Sequence, residues 1–412
     1  MIPYRACGGA ETAKVSVDIH YLCRGLPQGS VWRRRFVKIS GHEDKRIHIH
    51  KKCGGVRLSG GGERAVGLPV VDEFIIVAGD SSDGTDELLK VFDGEPKVRI
   101  IRTVWDTQTY DRGGMIYAQQ TDVGLRACTG DWCLYIQSDE IMHHNALPVI
   151  REACAKYLDD RRVEGFLLKY VHLYGDYRHY IDSLHFAYPR EIRIVRNRPD
   201  IHSWRDAQSF RVIPDFNGVD YDVEEGTRKL RCILLDALIF HYGWSRDPRC
   251  MVRKANHHNA LYSKDYKPVE GVDYYDYGNL GMMPLYEGTF PEAAAERMAA
   301  YDWADFVRYD GPRPNIGKRY GVKYRVVDFI EKHILRDGRR IGGFKNYKLL
   351  KPEPISAESD GGLRRSGRNE EGGGGCFSTV AAPFSFQCRH CSCAATSPEY
   401  WNARRLNKGI TA

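Results

Sequence analysis

The pattern of apolar and polar positions is clearest in two stretches of the chain. Residues 74–78 (FIIVA) form a short apolar run, and the polar turn at residues 79–85 (GDSSDGT) leads from it into an acidic helix start. Residues 132–136 (WCLYI) repeat this layout and end in the acidic turn at residues 137–140 (QSDE). Both are typical of a buried parallel strand that enters a βα loop. Since open α/β sheets bind ligands at the carboxyl ends of such strands, the pair predicts a binding site.

Other segments extend this alternation of strands and helices. The predicted strands are residues 14–17, 97–101, 163–174, 191–195 and 234–242, and the predicted helices are residues 86–92, 115–128, 146–158, 247–262 and 292–307. The order β-α-β-α-β with short loops predicts an α/β fold with a doubly wound, mostly parallel sheet flanked by helices. Residues 46–50 also alternate as in a strand, and we interpret His48 and His50 as its polar face rather than as metal ligands.

Length and composition divide the chain into three parts. At 412 residues it exceeds the roughly 100–200 residues of one domain. We expect an atypical basic N-terminal segment at 1–67, a main α/β domain at 68–347, and a low-complexity, disordered tail at 348–412. The tail contains one CxxC cluster, Cys388 to Cys393, without a second pair at a zinc-finger distance. We therefore favour incidental thiols there over a zinc site.

Charge, cysteine spacing and hydropathy narrow the class of protein. The net charge is +7, but the basic runs are short and lack any nucleic-acid motif, so we expect solvated surface and no nucleic-acid partner. The first nine cysteines show no paired spacing and no secretory leader is recognisable, which predicts reduced thiols. No apolar run approaches the roughly 20 residues of a membrane span. These features predict a soluble, cytoplasmic protein without a transmembrane segment.

The two acidic turns fit the chemistry of a nucleotide-diphospho-sugar. Cleavage of its glycosyl–phosphate bond leaves a diphosphate, which a divalent cation stabilises as a Lewis acid. Mg²⁺ and Mn²⁺ prefer oxygen ligands, so Asp139 with Glu140 is a candidate half-site for Mn²⁺ or Mg²⁺. Asp80, Ser82 and Asp83 on the neighbouring loop are candidates for contacting the nucleoside. The alternative is that the acidic residues cap the following helices, and for Asp83 capping and binding are compatible.

These residues resemble the family 2 glycosyltransferases, which have the GT-A fold. The resemblance rests on strand-GDSSDGT-helix, then Thr129-Gly130-Asp131-Trp132, a strand and QSDE, and it covers about residues 68–347. Family members usually have D-D-x-S-x-D-G-T in the first loop and D-x-D at the end of the second. Here Ala78-Gly79 stands where the two carboxylates usually lie, Gln137 is the first position of D-x-D, and Asp122 stands where Asn is common. The resemblance implies metal-assisted sugar transfer with inversion to an acceptor hydroxyl of a glycan, lipid or protein.

The resemblance also implies a general base and a further metal ligand. Family members supply an Asp or Glu after the central sheet, and we predict Asp206 as the base, with Asp182 as second choice. Asp206 in a surface ion pair with Arg205 or Arg211 is the alternative. His241 resembles the histidine that completes the metal shell in some GT-A enzymes, but it also fits a satisfied histidine at a strand end.

Two further features leave alternatives open. Seven aromatic residues suit either stacking on sugars or a plain core: Tyr170, Tyr174, Tyr177, Tyr180, Phe186, Tyr188 and Trp204. The unusual N-terminal part keeps a catalytically silent nucleotide-sugar-binding protein as the alternative function. A nucleotidyltransferase would need a Gly- and Lys/Arg-rich phosphate loop after the first strand, which we do not find. A nucleic-acid binder would show steep salt dependence.

Overall fold

The computed structural model describes residues 15–20, 71–79, 85–183, 185–263, 265–316, 321–334 and 345–351. Three groups of predicted features lie outside these residues. They are the nucleoside contacts Asp80, Ser82 and Asp83, the strand at 46–50, and the cysteine cluster at 388–393.

Strands outnumber helices in the described part of the chain. The strands are β1 (Val15–His20), β2 (Glu73–Ala78), β3 (Val98–Arg102), β4 (Trp132–Gln137), β5 (Glu140–Met142), β6 (Gly165–Tyr174), β7 (Arg190–Arg196), β8 (Ile201–Trp204), β9 (Ser209–Val212), β10 (Arg228–Trp244) and β11 (Tyr347–Leu349). The α-helices are α1 (Thr85–Leu89), α2 (Met115–Ala127), α3 (Ala146–Lys156), α4 (Pro248–Tyr262), α5 (Ala295–Ala299) and α6 (Val322–Phe329). Short 3₁₀ turns and one π-helical turn, Ile330–Ile334, supplement them.

One half of the sheet has the predicted parallel arrangement. Its strand order is β3-β2-β1-β4, and all three pairings are parallel. β1 contains the predicted strand at residues 14–17 almost entirely and lies in the centre, between β2 and β4. Parallel neighbours need crossover connections, and helix α2 lies in the connection between β3 and β4. The carboxyl ends of β2 and β4 therefore lie at the same edge of the sheet.

The other half of the sheet is mixed. β7 pairs antiparallel with both β4 and β6, while β10 pairs parallel with β6 and antiparallel with β5 and β9. The prediction of an α/β fold is confirmed, whereas a mostly parallel sheet is not, because β10 joins partners of both directions. The structure is thus a curled, mixed sheet with few helices. Irregular register in β10 after Leu234 and after His241 interrupts its pairing with β6, as β-bulges do.

Both faces of the central strands are buried. Phe74 and Ile76 of β2 belong to one apolar cluster, which includes Ile150 of α3, and Ile75 and Val77 belong to another, which includes α2 residues. This alternation follows from the two-residue period of a strand. A continuous apolar run is what a strand covered on both faces requires, which explains why the sequence signal of β2 was clear.

Most predicted helices are confirmed, with one correction. α4 begins as predicted, because the Asp247 carboxylate accepts a hydrogen bond from the Arg249 N–H (2.9 Å) and Pro248 occupies the first turn. The helix predicted at 292–307 is wrong in extent: it consists of a 3₁₀ turn, α5 and a second 3₁₀ turn. The interruption places Trp303 in the core, where its indole N–H donates to the Gly175 carbonyl (3.0 Å).

Thiols and hydropathy can be checked within the described residues. The cysteines there, Cys128, Cys133, Cys154, Cys232 and Cys250, form no disulfide with one another. In this part of the chain none of the helices combines the length and the apolar content that crossing a bilayer requires.

Candidate functional site

Asp139 lies in the tight turn between β4 and β5 and is 9% exposed. Its carbonyl accepts a hydrogen bond from the Tyr242 N–H (2.7 Å), and the β5–β10 pairing sets Glu140 opposite His241. These backbone contacts hold Asp139 beside the last residues of β10. The structure thus brings together Asp139 and His241, which the sequence placed at the ends of two distant strands.

Three basic side chains surround the Asp139 carboxylate. Lys254 Nζ lies 3.3 Å and Arg246 Nη2 3.7 Å from its Oδ2, and His241 Nε2 lies 3.8 Å from its Oδ1. Burial alone would raise the pKa of Asp139, but Lys254, His241 and Arg246 outweigh it and hold that pKa well below its usual range. Burial lowers the pKa of Lys254 to about 8 against the attraction of Asp139. Because these basic groups outnumber the one carboxylate, the site favours an anionic ligand.

Gly243 keeps open the space between Asp139 and His241. A Cβ atom at this position would come within 2.4 Å of His241 Nε2 and 2.9 Å of Asp139 Oδ2. Such approaches are far closer than van der Waals contact, so a side chain here would displace one of the two groups. The glycine therefore forms one wall of a cradle into which the carboxylate and the imidazole nitrogen both point.

The tautomer of His241 follows from its neighbours. His172 Nε2 lies 2.7 Å from the Tyr188 carbonyl, which can only accept, so His172 carries its proton on Nε2. Burial and the nearby His241 lower the pKa of His172 to about 3, so its ring is neutral and its Nδ1 accepts. His241 Nδ1, 3.1 Å away, must then donate. Burial also lowers the pKa of His241, although Asp139 opposes the shift, and its Nε2 faces the cradle.

Glu140 points away from this cradle into the core. Its Oε1 accepts from Arg193 Nη2 (2.9 Å) and the Tyr170 hydroxyl (2.7 Å), and its Oε2 accepts from the Gln137 N–H (3.0 Å). The Glu140 and Arg193 side chains are both fully buried. Asp139 lies in the turn and Glu140 begins β5, and the two side chains have different surroundings. These hydrogen bonds indicate a structural role for Glu140. Its role as a metal ligand stays a prediction.

Asp206 lies in the four-residue turn between β8 and β9, and this turn is strained. Its neighbours Arg205 (φ 58°) and Ala207 (φ 61°) both adopt the left-handed conformation that side chains disfavour. Such strain persists where the surrounding structure enforces it and is common at functional sites. Burial raises the pKa of Asp206, although a hydrogen bond from the Tyr262 hydroxyl (2.6 Å) opposes the shift.

Helix α2 supports the Asp206 turn at two points. Asp122 accepts from the Ser203 N–H (2.7 Å) and lies 2.5 Å from His202 Nδ1, so it fixes β8. Gly114, at the N-terminus of α2, has φ +71°, and a Cβ there would come within 2.9 Å of the Tyr262 ring and 3.1 Å of the Asp206 Cβ. Asp122, which stands where the resemblance expects Asn, therefore positions the turn that contains the predicted base.

One face of α4 connects the two acidic positions. Lys254, His258 and Tyr262 are spaced at i, i+4 and i+8, which places them on the same face of the helix. Lys254 contacts Asp139, Tyr262 contacts Asp206, and the His258 ring lies between them, 4.5 Å from that of Tyr262. At 1.5 Å per residue, the eight steps from Lys254 to Tyr262 rise by about 12 Å along the helix axis. We call this line of side chains the α4 stripe.

Sequence reasoning missed several of these residues. Arg246, Lys254, Tyr262 and His172 were not predicted as part of the site, although the four-residue spacing of the α4 stripe was a usable signal. The second-choice base Asp182 lies in the loop before β7, where its charge adds to the burial that raises the pKa of Tyr180. Most of the seven aromatic residues are core: Tyr170, Tyr174, Tyr177, Phe186 and Trp204 are at most 9% exposed.

Comparisons with known proteins assign no family. No protein-family model matches the chain, and no curated protein matches it either. Among solved structures it is similar to the crystal structure of S. aureus TarS, with 13% identity over 45% of this chain and 33% of that chain (TM-score 0.25). It is also similar to S. aureus TarS 1-349 in complex with UDP-GlcNAc, with 15% identity over 30% and 36% (TM-score 0.21), and in complex with UDP, with 12% identity over 46% and 54% (TM-score 0.24). The chain spans a third to about half the length of these structures, and at these TM-scores the likeness carries no argument.

Proposed function

We propose that this protein is a glycosyltransferase that moves a sugar from a nucleotide-diphospho-sugar to an acceptor hydroxyl with inversion. The observation that carries the proposal is the position of the Asp139 carboxylate 3.8 Å from His241 Nε2, with both groups facing the Gly243 cradle. A carboxylate oxygen and an imidazole nitrogen 3.8 Å apart can both bind a cation that lies beside them. A divalent ion and the ammonium group of Lys254 are both suited to that position.

The donor set fits a divalent cation. One carboxylate and one neutral imidazole, completed by diphosphate oxygens, form a ligand set that Mn²⁺ accepts, since Mn²⁺ tolerates both oxygen and imidazole ligands. Asp139 and His241 would hold the ion, and His172 would orient His241 as an outer partner. When bound, the ion supplies Lewis-acid stabilisation of the diphosphate leaving group. Glu140 acts indirectly, because its hydrogen bonds in the core hold the β4–β5 turn in position.

The basic residues around Asp139 bind the same diphosphate from the protein side. Lys254 and Arg246 place two positive charges next to the position where negative charge develops as the glycosyl–phosphate bond breaks. Preorganised charges of this kind stabilise a transition state more than a ground state. Asp80, Ser82 and Asp83, which follow β2 in the sequence, would complete the donor site through contacts with the nucleoside.

Asp206 is suited to remove the proton of the acceptor hydroxyl. As that proton moves to Asp206, the acceptor oxygen bonds to the anomeric carbon, and the glycosyl–phosphate bond breaks with its electron pair on the diphosphate. A raised pKa brings a carboxylate closer to the working pH, which favours a general base. Lys254 contacts Asp139 and Tyr262 contacts Asp206, so one face of α4 would line both the donor and the acceptor side of the site.

Release of nucleoside diphosphate tests this function with water as the acceptor. The full chain would be incubated with UDP-glucose, UDP-N-acetylglucosamine or GDP-mannose and Mn²⁺, and released UDP or GDP measured. We expect Asp206→Asn to reduce the rate by roughly 10²- to 10⁴-fold, the usual contribution of a general base. Asp215→Asn, at an exposed residue after β9, is the matched control. Metal-dependent UDP or GDP binding without release from any donor would instead support the silent nucleotide-sugar-binding protein.

A further inference from the structure

A second cluster of metal-ligand side chains lies away from the proposed donor site. His185 comes from the loop before β7, Asp328 from α6, and Glu331 from the π-helical turn that continues α6. One ligand atom from each residue lies within 4.8 Å of the other two. His185 Nε2 is 3.1 Å from Glu331 Oε2 and 3.8 Å from Asp328 Oδ1.

The cluster is buried, unlike most groups of acidic residues at a protein surface. The exposed fraction of the side chain is 9% for His185, 9% for Asp328 and 0% for Glu331. Charged carboxylates at this depth are stable only when they are paired or bind a metal. An imidazole and two carboxylates that converge at one point are a donor set for Zn²⁺ and related first-row metals.

The backbone favours convergence at this position. Asp328 and Glu331 are three residues apart, so both side chains lie on the same face of the helix. The α-helix changes to a π-helical turn at Ile330, between the two carboxylates. Single π turns are rare and frequently lie at functional sites. This change in helical form is a second observation, independent of the side-chain distances, that marks the same point.

We propose that His185, Asp328 and Glu331 bind a divalent transition-metal ion, of the Zn²⁺ type, that fastens α6 to the loop preceding β7. The same loop continues to Phe186, whose ring packs on Trp244, and to Tyr188, whose carbonyl accepts the hydrogen bond from His172. A metal bound here stabilises the loop that sets the tautomer of His241. Metal binding itself does not depend on the proposed sugar transfer.

The test measures Zn²⁺ and Co²⁺ binding to the full chain after removal of metal with a chelator. The experiment is done without nucleotide and in an Asp139→Asn background, so that the donor site does not contribute. We expect one ion per chain by elemental analysis, a Co²⁺ absorption spectrum in the visible range, and a thermal midpoint that rises with Zn²⁺ concentration. Substitution of a residue that only contacts a metal ligand typically weakens binding roughly 10–100-fold. Glu331→Gln and His185→Gln each remove a ligand, so each should weaken Zn²⁺ binding by more than that.

His333→Gln is the matched control, because His333 is an exposed histidine in the same helical turn. It should bind Zn²⁺ like the parent protein. The proposal is overturned if the chain takes up no metal, or if Glu331→Gln and His185→Gln bind as tightly as the control. In that case the three residues form only a buried cluster of ion-paired side chains. If Glu331→Gln does not fold, His185→Gln decides, since the neutral amide removes the imidazole ligand and leaves both carboxylates in place.

Discussion

Removal of either partner of the buried Glu140–Arg193 ion pair should destabilise the protein severely. Both side chains are 0% exposed, and the Arg193 guanidinium lies 5.1 Å from the ring centres of both Tyr135 and Tyr170. Glu140→Leu leaves the Arg193 charge buried without its carboxylate, which typically costs about 3–5 kcal/mol. Domains are stable by only about 5–15 kcal/mol, so the single variant should approach the limit of folding.

The double variant separates a structural role from a binding role. Glu140→Leu with Arg193→Met removes both charges, and replacement of a buried pair by apolar residues is often neutral. We therefore expect the double variant to lose far less free energy of unfolding than the two single variants combined. Urea unfolding, followed by tryptophan fluorescence and circular dichroism, measures this coupling in a double-mutant cycle. Additive losses would refute the pair as we describe it.

The same double variant tests whether Glu140 binds the metal. Since both carboxylate oxygens of Glu140 accept hydrogen bonds inside the core, we expect the folded double variant to retain metal-dependent nucleotide binding. Loss of that binding in a folded double variant would show that Glu140 is the ligand predicted from the sequence. Asp139→Asn is the opposite control, with expected loss of metal-dependent nucleotide binding.

Three further predictions concern pH and the histidine pair. The rate of sugar transfer should rise with pH as Asp206 loses its proton, and fall above about pH 8 as Lys254 loses its own. If the rate of the Lys254→Arg variant still falls above pH 8, the assignment of that fall to Lys254 is wrong. His172→Ala should weaken Mn²⁺ binding about 10–100-fold with little change in unfolding, measured by titration; unchanged affinity would mean that His241 needs no partner. Burial raises the pKa of Glu191 from 4.5 to about 7. Between these pH values the folded state therefore binds one proton more than the unfolded state does. The free energy of unfolding should then fall by on the order of 3 kcal/mol as pH rises through that window. Glu191→Gln should remove this fall, which urea unfolding at pH 5 and pH 8 would detect.

The central strands were predictable because their signals are local. β2 and β4 are buried on both faces, and each carries a continuous apolar run that ends in a polar turn. The hairpin β8–β9 was missed since its buried positions include His202, Ser203 and Arg211. These polar residues are stable there because other elements contact them: Asp122 contacts His202, and the Trp204 ring stacks on Arg211. No local pattern predicts such partners.

The site was predicted in part for a similar reason. The sequence placed Asp139 and His241 at strand ends, and the β5–β10 register brought them together. The inward direction of Glu140 depends on Arg193 of β7, 53 residues further along the chain. The α4 stripe was visible as a four-residue period, but its relation to Asp139 and Asp206 arises only from the way α4 packs. The sequence predicted the types of the elements, but not which distant residues contact one another.

Calorimetric titration of the full chain with UDP and GDP, with and without Mn²⁺, tests the central claim most directly. We expect one of the two nucleotides to bind in a Mn²⁺-dependent manner, and Asp139→Asn to abolish the metal dependence while the Asp215→Asn control retains it. Absence of binding by either nucleotide would contradict a donor site at Asp139 and His241. Binding that is the same with and without Mn²⁺ would assign the diphosphate to Lys254 and Arg246 alone.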